Sequence, residues 1–236
     1  MSAGIPFFNP KTMSTIKSHL ADVLARLPQS VRLVAVSKFH PVEALQEAYD
    51  CGQRLFGESR VQELQAKHAA LPQDIEWHFI GHLQTNKLKL VLPYASLVES
   101  IDSKRLLDSV NAWGKANGKV VPVLLELHLG AEETKGGFTD QEIIDILSEY
   151  VDADSAYSHV RIRGLMGMAT NTDDEAVIDS DFSRIEAFKK NLDRMFPSLN
   201  GFTELSIGMS DDWQLALRHG ATIIRVGTAI FGPRKV

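Results

Sequence analysis

Cysteine is nearly absent. Cys51 is the only one in 236 residues, so no intrachain disulfide can form and no metal site can be built on paired thiolates. Long apolar runs are missing as well. The richest stretch, Val120 to Leu129, is broken by Pro122, Glu126 and His128, well short of the roughly 18 consecutive apolar residues of a membrane span. The opening residues, M-S-A-G-I-P-F-F-N-P-K, lack the basic segment, apolar core and cleavage site of a secretory signal. A cytoplasmic location with no membrane partner is therefore expected. Positive charge is not in excess either: 25 Lys and Arg stand against 30 Asp and Glu, a formal net charge of -5, the wrong sign for a surface devoted to nucleic acid. With 44% hydrophobic and 23% charged residues the chain is neither disordered nor fibrous. No repeat, low-complexity tract or Pro/Gly/Ser-rich linker interrupts it, so residues 1–236 read as one domain.

Short runs of Val, Ile and Leu alternate with longer segments of helical spacing, the pattern of parallel strands and their covering helices. Eight strands are predicted, at 32–37, 54–57, 76–80, 96–99, 121–128, 160–167, 204–207 and 222–226. Helices are predicted at 42–51, 60–71, 85–92, 104–117, 139–150, 174–196 and 211–219, with a further one from about 12 to 26 ahead of the first strand. Pro41 suits a first-turn position, Thr139 with Glu142 forms a capping-box pattern, and Gly52, Gly118 and Gly220 suit left-handed helix ends. Eight such units in this length predict an α/β fold, a single (β/α)₈ TIM-type barrel with an extra N-terminal helix. Chemistry is then expected at the C-terminal ends of the strands.

The first strand, V-R-L-V-A-V-S-K, ends in Lys38, which alternation places on one face with Val36 and Val34. If that face lines the barrel, the amine sits at its mouth in partly apolar surroundings, where desolvation lowers its pKa and suits it to a Schiff base with a carbonyl compound. A solvated lysine closing a strand is the plain alternative. Near the other end of the chain, L-S-I-G-M-S-D-D runs from strand through Gly208 into a helix, flanked by Ser206 and Ser210, and R-V-G-T-A-I-F-G carries Arg225, Gly227 and Thr228. Turn amides, a helix N-terminus and hydroxyls suit a phosphate, and barrels often hold phosphate after their seventh and eighth strands. Ordinary capping by Ser210 or Asp211 is the alternative there.

Other polar residues fall at strand ends. His78 and His82 have no third ligand and no H-x-H or H-E-x-x-H pattern, so a metal site is not expected and His78 reads as a hydrogen-bonded core residue. Glu58 and Ser59 are expected near the barrel mouth, with helix capping by Ser59 as the alternative. Lys135, between a glutamate pair and two glycines, reads as solvated, with a second cation for the site as the alternative. Met166 and Met168 share a face and suit packing under a ring or in a core.

The motifs V-A-V-S-K, F-G-E-S-R-V-Q-E, W-H-F-I-G-H-L-Q-T-N-K, R-G-L-M-G-M, L-S-I-G-M-S-D-D and R-V-G-T-A-I-F-G, in unbroken order from about Arg32 to Gly232, resemble the pyridoxal phosphate homeostasis protein family. The resemblance implies a barrel like the N-terminal domain of alanine racemase and pyridoxal 5'-phosphate held by Lys38 as an internal aldimine. It further implies phosphate contacts from Ser206, Gly208, Ser210, Gly227 and Thr228, and Arg225 near the pyridine nitrogen. The family often has G-E-N-Y where this chain has Gly57-Glu58-Ser59-Arg60, so Ser59 stands in for the asparagine found near the ring.

An arginine beside the ring nitrogen can only donate, which leaves the cofactor a poorer sink for carbanion charge. Two-base racemisation needs a second acid or base, which the racemase family supplies from an added β domain that 236 residues leave no room for. Binding in cofactor homeostasis without substantial turnover is therefore expected. The resemblance also suggests a monomer or weak dimer, with pyridoxal-phosphate-dependent apoenzymes as partners to consider. The competing expectation is an enzyme: a pyridoxal-phosphate-dependent racemase or lyase, or a lysine Schiff-base aldolase acting on a phosphorylated sugar.

Overall fold

A computed structural model describes residues 15–130, 136–152 and 157–233. Eight parallel strands close a barrel in sequence order: β1 (Arg32–Val36), β2 (Leu55–Glu58), β3 (Glu76–Phe79), β4 (Leu97–Ile101), β5 (Val121–Leu127), β6 (Val160–Gly167), β7 (Glu204–Ser206) and β8 (Ile223–Val226). β8 pairs back onto β1, with Val34 opposite Arg225 and Ala35 opposite Val226. The helices are α1 (Thr15–Leu24), α2 (Val42–Asp50), α3 (Val61–Ala70), α4 (Leu88–Val91), α5 (Lys104–Asn117), α6 (Asp140–Val151), α7 (Glu175–Met195), α8 (Trp213–Arg218) and α9 (Thr228–Phe231). The predicted (β/α)₈ barrel with an N-terminal helix is the observed fold.

Strand alternation sorts the core into two layers. Leu33, Ala35, Phe56, Trp77, Phe79, Val98, Leu205, Ile224 and Val226 point outward and pack under the helices. Val34, Val36, Leu55, Leu97, Leu124, Met166 and Ile223 point inward and fill the barrel. Each fully buried side chain of this size contributes about 1.5–3 kcal/mol, so the outer layer carries most of the stability. At the N-terminal end of the barrel, Glu204 pairs with Arg32 at 2.9 Å and Arg163 at 3.4 Å.

Local signals act mostly as expected. Thr139 and Glu142 form the reciprocal capping box of α6, and Gly52, Gly118 and Gly220 take positive φ after helices, at 101°, 63° and 75°. Pro41, however, is the residue before α2, with extended ψ of 161°, rather than part of its first turn. The predicted 85–92 helix divides into a 3₁₀ turn, Thr85–Lys87, and the single turn α4. Thr and Asn are weak helix formers, and a tighter turn is a common helix entry. Arg60, not Ser59, precedes α3, and α8 begins at Trp213 rather than Asp211. Nothing in the sequence marks α9, whose four residues are too few to display a period.

Candidate functional site

Beyond the C-terminal ends of β1, β6, β7 and β8 lies a cavity of about 110 Å³ lined by Val36, Lys38, Ile80, Met166, Met168, Met209, Ser210, Arg225, Gly227 and Thr228. Alternation along β1 explains Lys38: Val34 and Val36 belong to the inner layer, and Lys38 continues that face out of the barrel, half-buried. Met166 and Met168, on one face of β6 and its extension, give the cavity an apolar wall.

The two turns read as anion cradles are joined by one hydroxyl. Ser210 Oγ accepts from the amide of Gly227 at 3.1 Å and from that of Ala229 at 3.4 Å. Ser210 therefore ties the loop after β7 to the loop after β8 and does not cap α8, as the simpler reading of that turn had it. Asp212 accepts from the Met209 amide and closes the first turn instead. Each turn contains a glycine with close neighbours, α8 for Gly208 and β1 for Gly227. A Cβ at Gly208, where φ is +92°, would lie 2.7 Å from Ala216 Cβ, and one at Gly227 would lie 3.1 Å from the carbonyl oxygen of Val36.

Behind the cavity the barrel interior holds a polar chain. Arg225, 5% exposed, donates to Ser206 Oγ at 2.6 Å, to the Ser206 carbonyl at 2.8 Å and to the Gly167 carbonyl at 3.0 Å. Ser206 Oγ donates to Glu99 at 2.6 Å, and Glu99 accepts from His78 Nδ1 at 2.5 Å and lies 3.7 Å from Arg225. Burial by itself would raise the Glu99 carboxyl. The hydrogen bond and charge of His78, with Arg225 behind them, outweigh that and hold it below its ordinary value. Glu126, in the same interior, is pushed up by burial and then by the charge of Asp102.

The predicted residues thus divide. Lys38, Ser210, Arg225, Gly227 and Thr228 meet at one cavity. Gly208 is buried and is not among the lining residues. Ser206 faces the barrel interior, where Arg225 and Glu99 take up its hydroxyl. Ser59 is half-buried, packs beside Gly81 and is not among the lining residues. Glu58 does not face the mouth: Gly57 occupies the inner face of β2, so Glu58 points outward and is fully buried against Ser37 and Lys67. Lys135 lies outside the described residues. His78 is a hydrogen-bonded core residue, while His82 is exposed and bonded to Asp102 at 2.8 Å. Among the described residues no group of three His, Cys, Asp or Glu is placed to hold a metal ion, and no helix is long and apolar enough to cross a membrane. Glu99 and the His78 relay went unforeseen. The only signal for them was a charged residue closing an otherwise apolar strand.

Comparison with known proteins gives a consistent picture. The model of the alanine racemase N-terminal domain matches residues 12–235. The pyridoxal phosphate homeostasis protein of Aquifex aeolicus is 37% identical over 205 residues, covering 86% of this chain and 87% of that one. Its namesake from Schizosaccharomyces pombe is 36% identical over 230 residues, covering 94% of each. Among solved structures, PipY of Synechococcus elongatus with pyridoxal phosphate bound superposes with a TM-score of 0.83 at 38% identity, covering 92% of this chain and all of that one. Alanine racemase from Bartonella henselae, with a TM-score of 0.70 at 13% identity, spans 93% of this chain and 59% of its own and shares the fold.

Proposed function

This chain belongs to the alanine racemase N-terminal domain family and, within it, to the pyridoxal phosphate homeostasis proteins, and from that premise we propose that it binds pyridoxal 5'-phosphate at the barrel mouth and serves in vitamin B6 homeostasis without substantial turnover. The observation that carries the reading is the lining of one cavity by an amine, a guanidinium and a hydroxyl-bearing cradle: Lys38, Arg225, Ser210 and Thr228.

The residues present fit the cofactor. Gly208 packs directly against α8, where a Cβ would clash with Ala216 and Trp213, and Gly227 brings the turn after β8 close to the backbone of β1 at Val36. Ser210 and Thr228 offer hydroxyl donors to a phosphate. When bound, the cofactor supplies an aldehyde that combines with primary amines and a ring that withdraws electrons. Lys38 provides the amine. Arg225 is held by two carbonyls and Ser206 inside the barrel, so its guanidinium is fixed in place. A guanidinium donates hydrogen bonds and keeps its own proton, so a ring nitrogen facing it is not protonated from that side. Carbanion chemistry is weakened accordingly. Among the described residues the cavity is lined by no tyrosine, histidine or carboxylate that would act as an acid or base opposite Lys38. These features favour holding the cofactor over racemase or lyase turnover.

The test is spectroscopic. Purified protein loaded with pyridoxal 5'-phosphate is expected to be yellow. If Lys38 holds the cofactor, its nitrogen would bond to the aldehyde carbon with loss of water and borohydride would supply the hydride that makes the bond permanent, so peptide mapping should recover the label on Lys38. Lys38→Ala should be colourless after dialysis. A wild type that cannot be loaded sinks the binding reading, and steady Lys38-dependent loss of optical activity across a panel of amino acids sinks the reading of little turnover.

A further inference from the structure

The segment that presents Lys38 is strained, and a buried charge cluster outside the barrel holds it. Ser37 to His40 form a turn closed by the His40 amide donating to the Ser37 carbonyl at 3.0 Å. Its third residue, Phe39, has φ of 69°. Phe39 is the single non-glycine residue at positive φ among those described. Turns of this kind place glycine or asparagine at that position, and a bulky aromatic residue there is an outlier that persists only when its surroundings impose it.

The surroundings are on hand. Lys67, on α3 and 4% exposed, donates from Nζ to the Ser37 carbonyl at 2.8 Å, to Glu58 at 2.7 Å and to Glu63 at 2.8 Å. Glu58 in turn accepts from Ser37 Oγ at 2.6 Å. Glu63 accepts from the Phe39 amide at 2.8 Å. The Arg60 guanidinium lies 4.1 Å from the centre of the Phe39 ring and covers it. The peptide groups before and after Lys38 are thus gripped from outside the barrel: the Ser37 carbonyl by an ammonium, the Phe39 amide by a carboxylate. The cluster contributes little as a stabilising device. One oxygen of Glu58 is buried with no hydrogen-bond partner, and buried ion clusters are often matched or bettered by apolar packing. Its geometry is spent on the backbone at Lys38.

We propose that Lys67, Glu63 and Glu58 are positioning residues for Lys38, holding its turn in the conformation that delivers the amine to the cavity. This role rests on the assignment of Lys38 as the residue that bonds pyridoxal 5'-phosphate. The experiment uses the full chain, freed of cofactor and mixed with pyridoxal 5'-phosphate. The rate of borohydride-trapped labelling at Lys38 is followed by peptide mass spectrometry, with thermal unfolding of the cofactor-free protein in parallel. Glu63→Ala is expected to slow labelling roughly tenfold, since small misplacements of reacting groups have effects of this order. Glu63→Gln keeps an amide oxygen for the Phe39 N–H and should stay within about twofold of wild type, on the same scale. Lys67→Met should slow labelling as Glu63→Ala does; if it does not fold, the Glu63 pair decides alone. Equal rates in wild type and Glu63→Ala overturn the proposal, and so does equal slowing in both Glu63 variants that follows their loss of thermal stability. Failure of the wild type to take label at Lys38 overturns the binding assignment, and the positioning role with it.

Discussion

Replacing Glu99 by Gln tests the polar chain inside the barrel. Glu99 is fully buried, and its substitution removes the carboxylate that faces Arg225 at 3.7 Å while nearly preserving shape. Stripping one partner from a buried charge pair costs about 3–5 kcal/mol, because the remaining charge is left in a low-dielectric interior. Arg225 keeps three neutral acceptors, the Ser206 carbonyl and hydroxyl and the Gly167 carbonyl, which places the expected cost at the lower end. For a chain of this size about 3 kcal/mol lowers the unfolding midpoint by roughly 6–12 °C. Scanning calorimetry of the cofactor-free proteins at neutral pH measures it. The pH dependence adds a second check. The folded Glu99 carboxyl lies below its ordinary value, so its contribution is complete above the unfolded pKa, about 4.3, and fades as pH falls through the folded value. The gap between wild type and variant should therefore hold from neutral pH down to about 5 and narrow below it. A midpoint shift under about 2 °C, less than 1 kcal/mol on the same scale, or a gap that ignores acid, would refute a charged Glu99 supporting Arg225.

The two cradle glycines should fail differently. Gly208→Ala forces a left-handed residue against Ala216 and Trp213 and is expected to cost about 2–3 kcal/mol of stability in a denaturant titration. Gly227→Ala, where φ is -116° and the nearest atom is the Val36 carbonyl oxygen at 3.1 Å, should unfold within about 1 kcal/mol of wild type, yet hold pyridoxal 5'-phosphate roughly tenfold more weakly by equilibrium dialysis. Away from the site, burial, then the hydrogen bond to Asp108, pushes the Tyr157 hydroxyl up to about 12, while the hydrogen bond to Asp74 also raises Tyr49; in an alkaline titration followed by tyrosinate absorbance Tyr157 should ionise last of the four tyrosines, and Tyr157→Phe should remove that final step. Stability tied to Tyr157 is present below the unfolded value near 10 and is lost as pH rises through the folded one.

Much of the site was legible because strand alternation is a local property. Four successive apolar residues, Leu33 to Val36, and a serine before Lys38 suffice to put Val34, Val36 and the amine on one face, and the barrel carries that face to its mouth. The same parity applied to β2 would have turned Glu58 outward, since Gly57 and Leu55 face inward, but a four-residue strand leaves its phase unmarked until its neighbours are in place. Lys67 reads in sequence as one more cation on a polar helix. Only the packing of α3 over β1 and β2 buries it among Ser37, Glu58 and Glu63.

The sequence by itself determined the number and order of the strand–helix units, the parallel barrel they build, and the family, because periodicity, capping residues and ordered motifs are all written in near neighbours. β6 and α5 even keep their predicted limits, Val160–Gly167 and Lys104–Asn117. The tertiary structure decided which polar groups meet. Ser206, expected at a phosphate, hydrogen-bonds Arg225 and Glu99 inside the barrel, Ser210 ties two loops together, and His78 meets Glu99 from a different strand. Hydrogen bonds between residues 17 to 107 positions apart depend on strand register and helix docking, which are set by the burial of the whole core rather than by any local stretch of chain.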